Sequence, residues 1–320
     1  MSSKQQVLAL SGGIGGAKLA LGLYRVLDDY HLTVLCNSGD DFEHFGVTIS
    51  PDIDTVIYTL AGVANPETGW GLEGESWRFM QALADLNGET WFNLGDRDLA
   101  THVFRSERLK AGDTQAEICE QLTERFGVCA SIMPAANEPV RTTVHTTEGS
   151  LPFQHYFVRE ACAPTVTGFE FVGATSATPD TRLLERLASD EFNAIVICPS
   201  NPFISIDPVL AVPGVRDALM ASQAPVIAIS PIIAGDAVKG PTAKMMRELD
   251  IEVSPVSVAS HYGDLLDGFI VDQRDEAIID RIAAQQPSLM TRSTQIWMNS
   301  EEDKIALAQF VLIMAEELNT

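Results

Sequence analysis

The sequence predicts an α/β protein built on a doubly wound, mostly parallel, Rossmann-like sheet. Short continuous apolar runs recur, each ending in small or turn-forming residues. A glycine-rich loop separates the first run from a helical pattern, and the same strand–loop–helix order returns in the last third of the chain. Unbroken apolar runs of this length are what strands buried on both faces require.

The elements follow in order. Residues 7–10 read as the first strand, Ser11 to Gly16 as a glycine loop, and Leu19, Leu23, Val26 and Leu27 as the apolar face of a helix; residues 32–36 complete a βαβ unit. Residues 194–198 and 225–229 are further strands, ending in Pro199-Ser200-Asn201-Pro202 and Ser230-Pro231, with helices over 208–222 and 242–249. Ser300, with Asp303 three residues on, caps a closing helix over 301–318. Between these halves, residues 66–168 mix helices (76–86 and 114–126) with a hairpin pairing 142–146 against 153–158 around Glu148-Gly149. The expectation is one α/β domain over 1–320, with a core of 1–65 and 169–320 and a mixed α/β insertion at 66–168 that covers the site.

Composition narrows function. Among 320 residues, 44 are acidic and 21 basic, a net charge of −23. That excludes broad binding to nucleic acid, which needs a basic surface to displace counterions, and docking on anionic membranes. A small phosphorylated ligand is still acceptable if a metal ion or backbone N–H groups handle its charge locally. The five cysteines show no close pair, which fits free thiols in a reducing cytoplasm. The first residues, Met1 to Gln6, do not read as a signal peptide.

In open parallel sheets, ligands bind beyond the carboxyl ends of the strands. The first such loop, Gly12-Gly13-Ile14-Gly15-Gly16-Ala17-Lys18, has Lys18 where a dinucleotide fingerprint needs its third glycine, and lacks the Gly-Lys-Ser/Thr of a P-loop. What survives is a glycine turn feeding a helix N-terminus, which favours an anion. The second, Asn37-Ser38-Gly39-Asp40-Asp41, is followed by Pro51-Asp52-Ile53-Asp54. Asp40 and Asp52 suit a hard divalent cation such as Mg²⁺; Asp54 reads as the N-cap of a helix starting near Thr55. In Gly95-Asp96-Arg97-Asp98, Arg97 either meets an anion or sits in a structural Arg–Asp network. Trp70, between Gly69 and Gly71, could offer a stacking surface, and Lys239 or Lys244 could meet a phosphate. The six histidines have no metal-binding spacing, and no nucleophile elbow is present.

Taken together, the glycine loop, Asn37 to Asp41, Ser50 to Gly62, Gly69-Trp70-Gly71, Leu94 to His102, Pro199-Ser200-Asn201-Pro202, and Ser230-Pro231-Ile232-Ile233 with Lys239-Gly240-Pro241 resemble one family over nearly the whole chain. It is the 2-phospho-L-lactate transferases of coenzyme F420 biosynthesis. The resemblance implies that the ribityl hydroxyl of the deazaflavin Fo attacks the β-phosphorus of a GDP-linked donor carrying a lactyl, enolpyruvyl or glyceryl group, releasing GMP. It implies Mg²⁺ as cofactor on Asp40 and Asp52, with Asp52 alternatively acting as base, and Arg97 stabilising developing charge. The N–H groups of Gly12, Gly13, Gly15 and Gly16, with Ser200 and Asn201, would bind the nucleotide side and Trp70 would border Fo, with Asn37, Asp96, Ser230 and Lys239 as further substrate-binding residues. His145 and its neighbours at 142–147 would tune the donor's acyl group. A homodimer is expected. A competing reading is a nucleotide-sugar-binding regulator of the related gluconeogenesis-factor family, which shares the glycine loop and the Asn-x-Gly-Asp-Asp block but lacks the Gly-Trp-Gly and Gly-Asp-Arg-Asp blocks.

Overall fold

The computed structural model describes residues 5–29 and 31–320; the expectation drawn from Met1 to Lys4 lies outside the described residues. Seven strands form one sheet: β1 (Val7–Ser11), β2 (Leu32–Cys36), β3 (Ser131–Pro134), β4 (Ala194–Ile197), β5 (Val226–Ile229), β6 (Gly268–Asp272) and β7 (Met290–Thr294). Their spatial order is β7-β6-β5-β4-β1-β2-β3, and every pairing is parallel. This is a doubly wound sheet, and its order reverses between β1 and β4. Both faces are buried, as the unbroken apolar runs require. Val7 and Ala9 of β1 join one core cluster, and Leu8 and Leu10 join the other.

Helix α1 (Gly13–Val26) follows β1 directly, and α2 (Pro51–Leu60) follows β2 after a hairpin of Phe42–His44 with Val47–Ile49. A short helix, Arg78–Asp85, and two longer ones, α3 (Asp96–Ala111) and α4 (Gln115–Arg125), precede β3. The stretch 66–168 therefore contributes a strand to the main sheet as well as covering structure. The closing helix α5 (Glu301–Leu318) starts as its sequence predicts: the Ser300 hydroxyl accepts from the Asp303 N–H at 3.1 Å while Asp303 accepts from the Ser300 N–H at 2.9 Å. Among the described residues no helix is long and apolar enough to cross a membrane.

Two local expectations are corrected. Arg141–Thr146 pairs with Gly149–Pro152 and Val166–Val172, not with 153–158. The latter stretch turns helical at His155–Arg159, which puts Phe153 and Tyr156, three residues apart, into the core together. The single helix expected over 208–222 is two, Asp207–Leu210 and Val215–Ala221. Pro213 and Gly214, the latter at φ +84°, lie between them.

Candidate active site

The point where the strand order reverses brings the loop after β1 against the loop after β4. Here the glycines are needed for close approach. A Cβ at Gly15 would lie 2.6 Å from the Pro199 carbonyl oxygen, one at Gly16 2.7 Å from the Ser200 hydroxyl, and one at Gly12 2.6 Å from the Ser205 Cβ. Ser200 locks the two loops by donating to the Gly12 carbonyl at 2.7 Å and accepting from the Gly12 N–H at 3.2 Å. Helix α1 has neither a side-chain cap nor an acidic residue in its first turn, which leaves its positive end open to an anion. Asn201 and Ser230 shape the walls. The Asn201 side-chain oxygen Oδ1 accepts from the Phe203 N–H at 2.9 Å, and the buried Ser230 hydroxyl accepts from the Ile232 N–H at 3.1 Å and donates to the Ile232 carbonyl at 2.9 Å.

Beside this loop lie three buried carboxylates, Asp40 and Asp41 from the turn after β2 and Asp52 from the first turn of α2. Asn37 organises them. Its amide donates to Asp52 at 2.9 Å and to the Ile204 carbonyl at 3.1 Å, while its oxygen accepts from the Gly39 N–H at 2.8 Å. The Gly13 N–H also reaches Asp52, so the glycine loop and the acids form one site. Ser50 donates to Asp41 at 2.7 Å. One oxygen of Asp40 and one of Asp41 are buried without a hydrogen-bond partner, and no described cationic side chain forms an ion pair with any of the three. Burial, then the Asp52 charge, pushes Asp40 well above the usual carboxylate range. Burial likewise lifts Asp52 to about 6 and Asp41 to about 7, the latter against the pull of Arg141.

The helix carrying Asp52 starts earlier than expected. Pro51 occupies its first turn, and Asp54 is a buried residue inside it rather than a cap at Thr55. Asp54 belongs to a second acidic group with Asp98 and His102 of α3. Arg105, fully buried, pairs with Asp54; His102 Nδ1 lies 3.6 Å from Asp54 and its Nε2 3.5 Å from Asp98; the Tyr58 hydroxyl donates to Asp98 at 2.8 Å. Burial raises Asp98, but the His102 hydrogen bond and charge, Tyr58 and Arg105 outweigh it and hold this carboxyl below its ordinary range. With a guanidinium already on Asp54, this group is an ion-pair network rather than a vacant cation site. Arg105 is not among the residues the motifs single out. The helical spacing 98, 102 and 105 was the available signal, since it puts an acid, an imidazole and a cation on one face.

The remaining motif residues sit around the rim. Asp96 accepts from the N–H groups of Arg78 and Phe79 at 3.3 and 3.0 Å, which starts the helix Arg78–Asp85. Arg97 is exposed, and its guanidinium holds the Glu73 carbonyl at 2.5 Å. The loop so held carries Trp70, which is 39% exposed, and Gly69 of this loop packs over Ile14 of the glycine loop. Lys239 donates to the Thr68 carbonyl at 3.3 Å, and half-buried Lys18 donates to Met298 at 2.9 Å. Burial, then the charges of Lys304 and Lys239, lowers Lys18. Glycine loop, Trp70 and a small cationic patch thus meet on one edge of the acidic cluster. Lys244 is instead engaged with Glu248 and the Pro164 carbonyl. His145, on the small sheet, pairs with Ser150 at 2.8 Å.

Comparison with known proteins adds a family to this geometry. The family model described as 2-phospho-L-lactate transferase CofD matches residues 7–309. A phosphoenolpyruvate transferase of Kitasatospora aureofaciens is 37% identical over 98% of this chain and 98% of its own length. A 2-phospho-L-lactate transferase of Methanosarcina acetivorans is 36% identical over 96% of this chain and 98% of its own. A crystal structure of a UPF0052-family protein from Bacillus halodurans covers 98% of this chain and 99% of its own at a TM-score of 0.64 and 15% identity, a likeness of fold alone.

Proposed function

The chain belongs to the 2-phospho-L-lactate transferase CofD family, and we propose that it performs the coupling step of coenzyme F420 biosynthesis with Fo as acceptor and a GDP-linked donor. The ribityl hydroxyl oxygen of Fo forms a bond to the β-phosphorus, the bond from that phosphorus to the bridging oxygen breaks, and GMP leaves with the electron pair. The observation that carries this reading is the pairing of unmatched buried carboxylates with an uncapped helix N-terminus at the strand-order reversal.

The donor set fits Mg²⁺. Asp40 and Asp52 offer hard oxygen ligands near enough to repel one another, and an oxygen of Asp40 lacks a partner. Asp40 and Asp52 would hold the ion, whose contribution is to neutralise the donor's diphosphate. The chain's own groups do the rest. Free N–H groups of the first turn of α1, Gly15 among them, receive phosphate oxygens, Ser200 and Asn201 fix the loop they face, and Asn37 sets the angle of Asp52. Alternatively, Asp52 serves as base instead of ligand and takes the hydroxyl proton, a role that its carboxyl, lifted to about 6 by burial, suits near neutral pH. Trp70 borders the deazaflavin, with Lys239 and Arg97 holding its loop and Asp96 the helix beyond it. Positioning and charge neutralisation carry most of the acceleration in phosphoryl-type transfer. The acting form is proposed to be a homodimer, a state that light scattering reads directly.

The names on the relatives divide between enolpyruvyl and lactyl donors. The test is incubation with Fo and equimolar lactyl, enolpyruvyl and glyceryl GDP-linked donors, with products identified by mass and GMP quantified. One coupled product matched by GMP is expected. No coupled product from any donor, with tight binding of a UDP-sugar in a parallel titration, would overturn the reading in favour of a regulatory role.

A further inference from the structure

The Asp54 network lies one helical step from the site, and nothing in the proposed chemistry uses it. We propose that Arg105, His102 and Asp98 of α3, acting on Asp54 of α2, form a buried clamp that positions Asp52 and so sets the site's affinity for its cation. This inference rests on the reading of Asp40 and Asp52 as cation ligands.

Three observations support it. First, Asp52 and Asp54 flank Ile53 in the first turn of α2, and that turn has no side-chain cap of its own. Its side-chain support comes from other segments, Asn37 holding the Asp52 carboxylate and α3 holding Asp54. Second, the outside support is α3. Arg105 grips Asp54 and lies 3.3 Å from His102 Nδ1, and His102 spans the gap to Asp98. Tyr58, one turn further along α2, ties the same Asp98 at 2.8 Å, so α2 is held at two points. Third, α3 also holds the segment leading into α2. The Ser106 hydroxyl accepts from the Thr48 N–H at 2.7 Å and donates to the His102 carbonyl at 2.7 Å. α3 itself is anchored where the Asp98 N–H donates to Glu75 at 2.8 Å. A rotation of the first turn of α2 that moved Asp52 would have to break the buried Asp54–Arg105 pair. These are positioning residues, because none touches the reacting groups.

A merely structural pair predicts something different. Removing one partner leaves a buried charge unmatched and destabilises the fold; removing both leaves no such charge and restores much of the stability. A clamp, in contrast, is lost in either case. The test uses the full chain as wild type, Asp52→Asn, Asp54→Asn, Arg105→Lys and the double variant Asp54→Asn/Arg105→Met. Free Mn²⁺ is measured by electron paramagnetic resonance without substrate, and melting temperature is recorded in parallel. Arg105→Lys keeps the charge and serves where the harsher variants fold poorly. Expected are Mn²⁺ binding by wild type that Asp52→Asn abolishes, and affinity about tenfold or more weaker in Asp54→Asn, Arg105→Lys and the double variant. In the double variant the melting temperature recovers relative to Asp54→Asn while the affinity does not. Affinity that is unchanged in the single variants, or that recovers together with the melting temperature, overturns the clamp and leaves the cation site standing. A wild type that does not bind Mn²⁺, or binds it equally with Asp52→Asn, removes the cation reading and the clamp with it.

Discussion

Asp52 and Asp54 sit two residues apart in one helical turn, both buried, yet their surroundings are opposite. Asp54 faces Arg105 and His102 within a network where two carboxylates meet chain-borne partners. Asp52 faces Asp40, with Asp41 beside it; among the described residues their side-chain hydrogen-bond partners are uncharged donors such as Asn37 and Ser50, while Arg141 and Arg105 pull on Asp41 through their charge without pairing with it. Burying a charge without a counter-charge is expensive; Asp54 has its paired cation in Arg105 while Asp40 and Asp52 have none, and it is on this contrast in ion pairing that the proposed cation site rests. An excess of acid over the whole chain would not reveal this, since most of the 44 acidic residues are simply solvated.

The largest expected effect comes from unmatching the matched side. Arg105→Met strands Asp54 and should lower stability by about 3–5 kcal/mol in urea unfolding. Asp52→Asn in the same assay, without divalent ions, should change stability by less than about 1 kcal/mol or raise it, because it removes a repulsive charge. Equal losses in the two variants would erase the distinction between the regions.

Catalysis should show the reverse. Asp52→Asn and Asp40→Asn are expected to lower GMP release at saturating Mg²⁺ by roughly 100-fold or more, the scale on which losing one electrostatic contact to a reacting group acts. Wild-type turnover in Asp52→Asn would end the role assigned to that residue. Next in size is the loop. Gly15→Ala sets a Cβ 2.6 Å from the Pro199 carbonyl, so about 1–3 kcal/mol of stability should be lost, with a higher KM for the donor than for Fo.

The smallest effect is on pH dependence, and its sign separates the regions again. Asp41 and Asp52 stand at about 7 and about 6 in the fold, against roughly 3.9 unfolded. A raised carboxyl gives stability that is full below about pH 4 and lost as pH rises through the folded value. Without divalent ions, the melting temperature should therefore fall between pH 5 and about 7 through these groups, and Mg²⁺ should flatten the decline. Asp98, held below its ordinary range, works the other way, its contribution fading only as pH falls through that lowered value. A melting temperature that rises from pH 5 to 7 without divalent ions would contradict the unmatched reading.

How much of this was legible depended on whether the information was local. β1, β2, β4 and β5 are continuous apolar runs, and the Ser300–Asp303 cap is written within four residues. That the glycine loop, Asp40 and Asp52 would meet at one end of the sheet was legible because each follows a strand or opens the next helix. β3 was not legible: it is four residues long, ends in Pro134, and becomes a strand by pairing with β2 almost a hundred positions earlier. The helix expected at 208–222 fails on a Pro-Gly step that ought to have been decisive. Within its own segment Asp54 looks like a cap, because its true partner is 51 residues away. Such a pairing exists only once α2 and α3 have packed, and no spacing rule within one segment reports it.

The most direct check is calorimetric titration of the wild-type chain with GDP, once in Mg²⁺ and once in a chelator. The account predicts binding in Mg²⁺ that weakens at least about tenfold when the metal is removed, because the diphosphate would then face Asp40, Asp41 and Asp52 directly. Equal affinity in both titrations would contradict it.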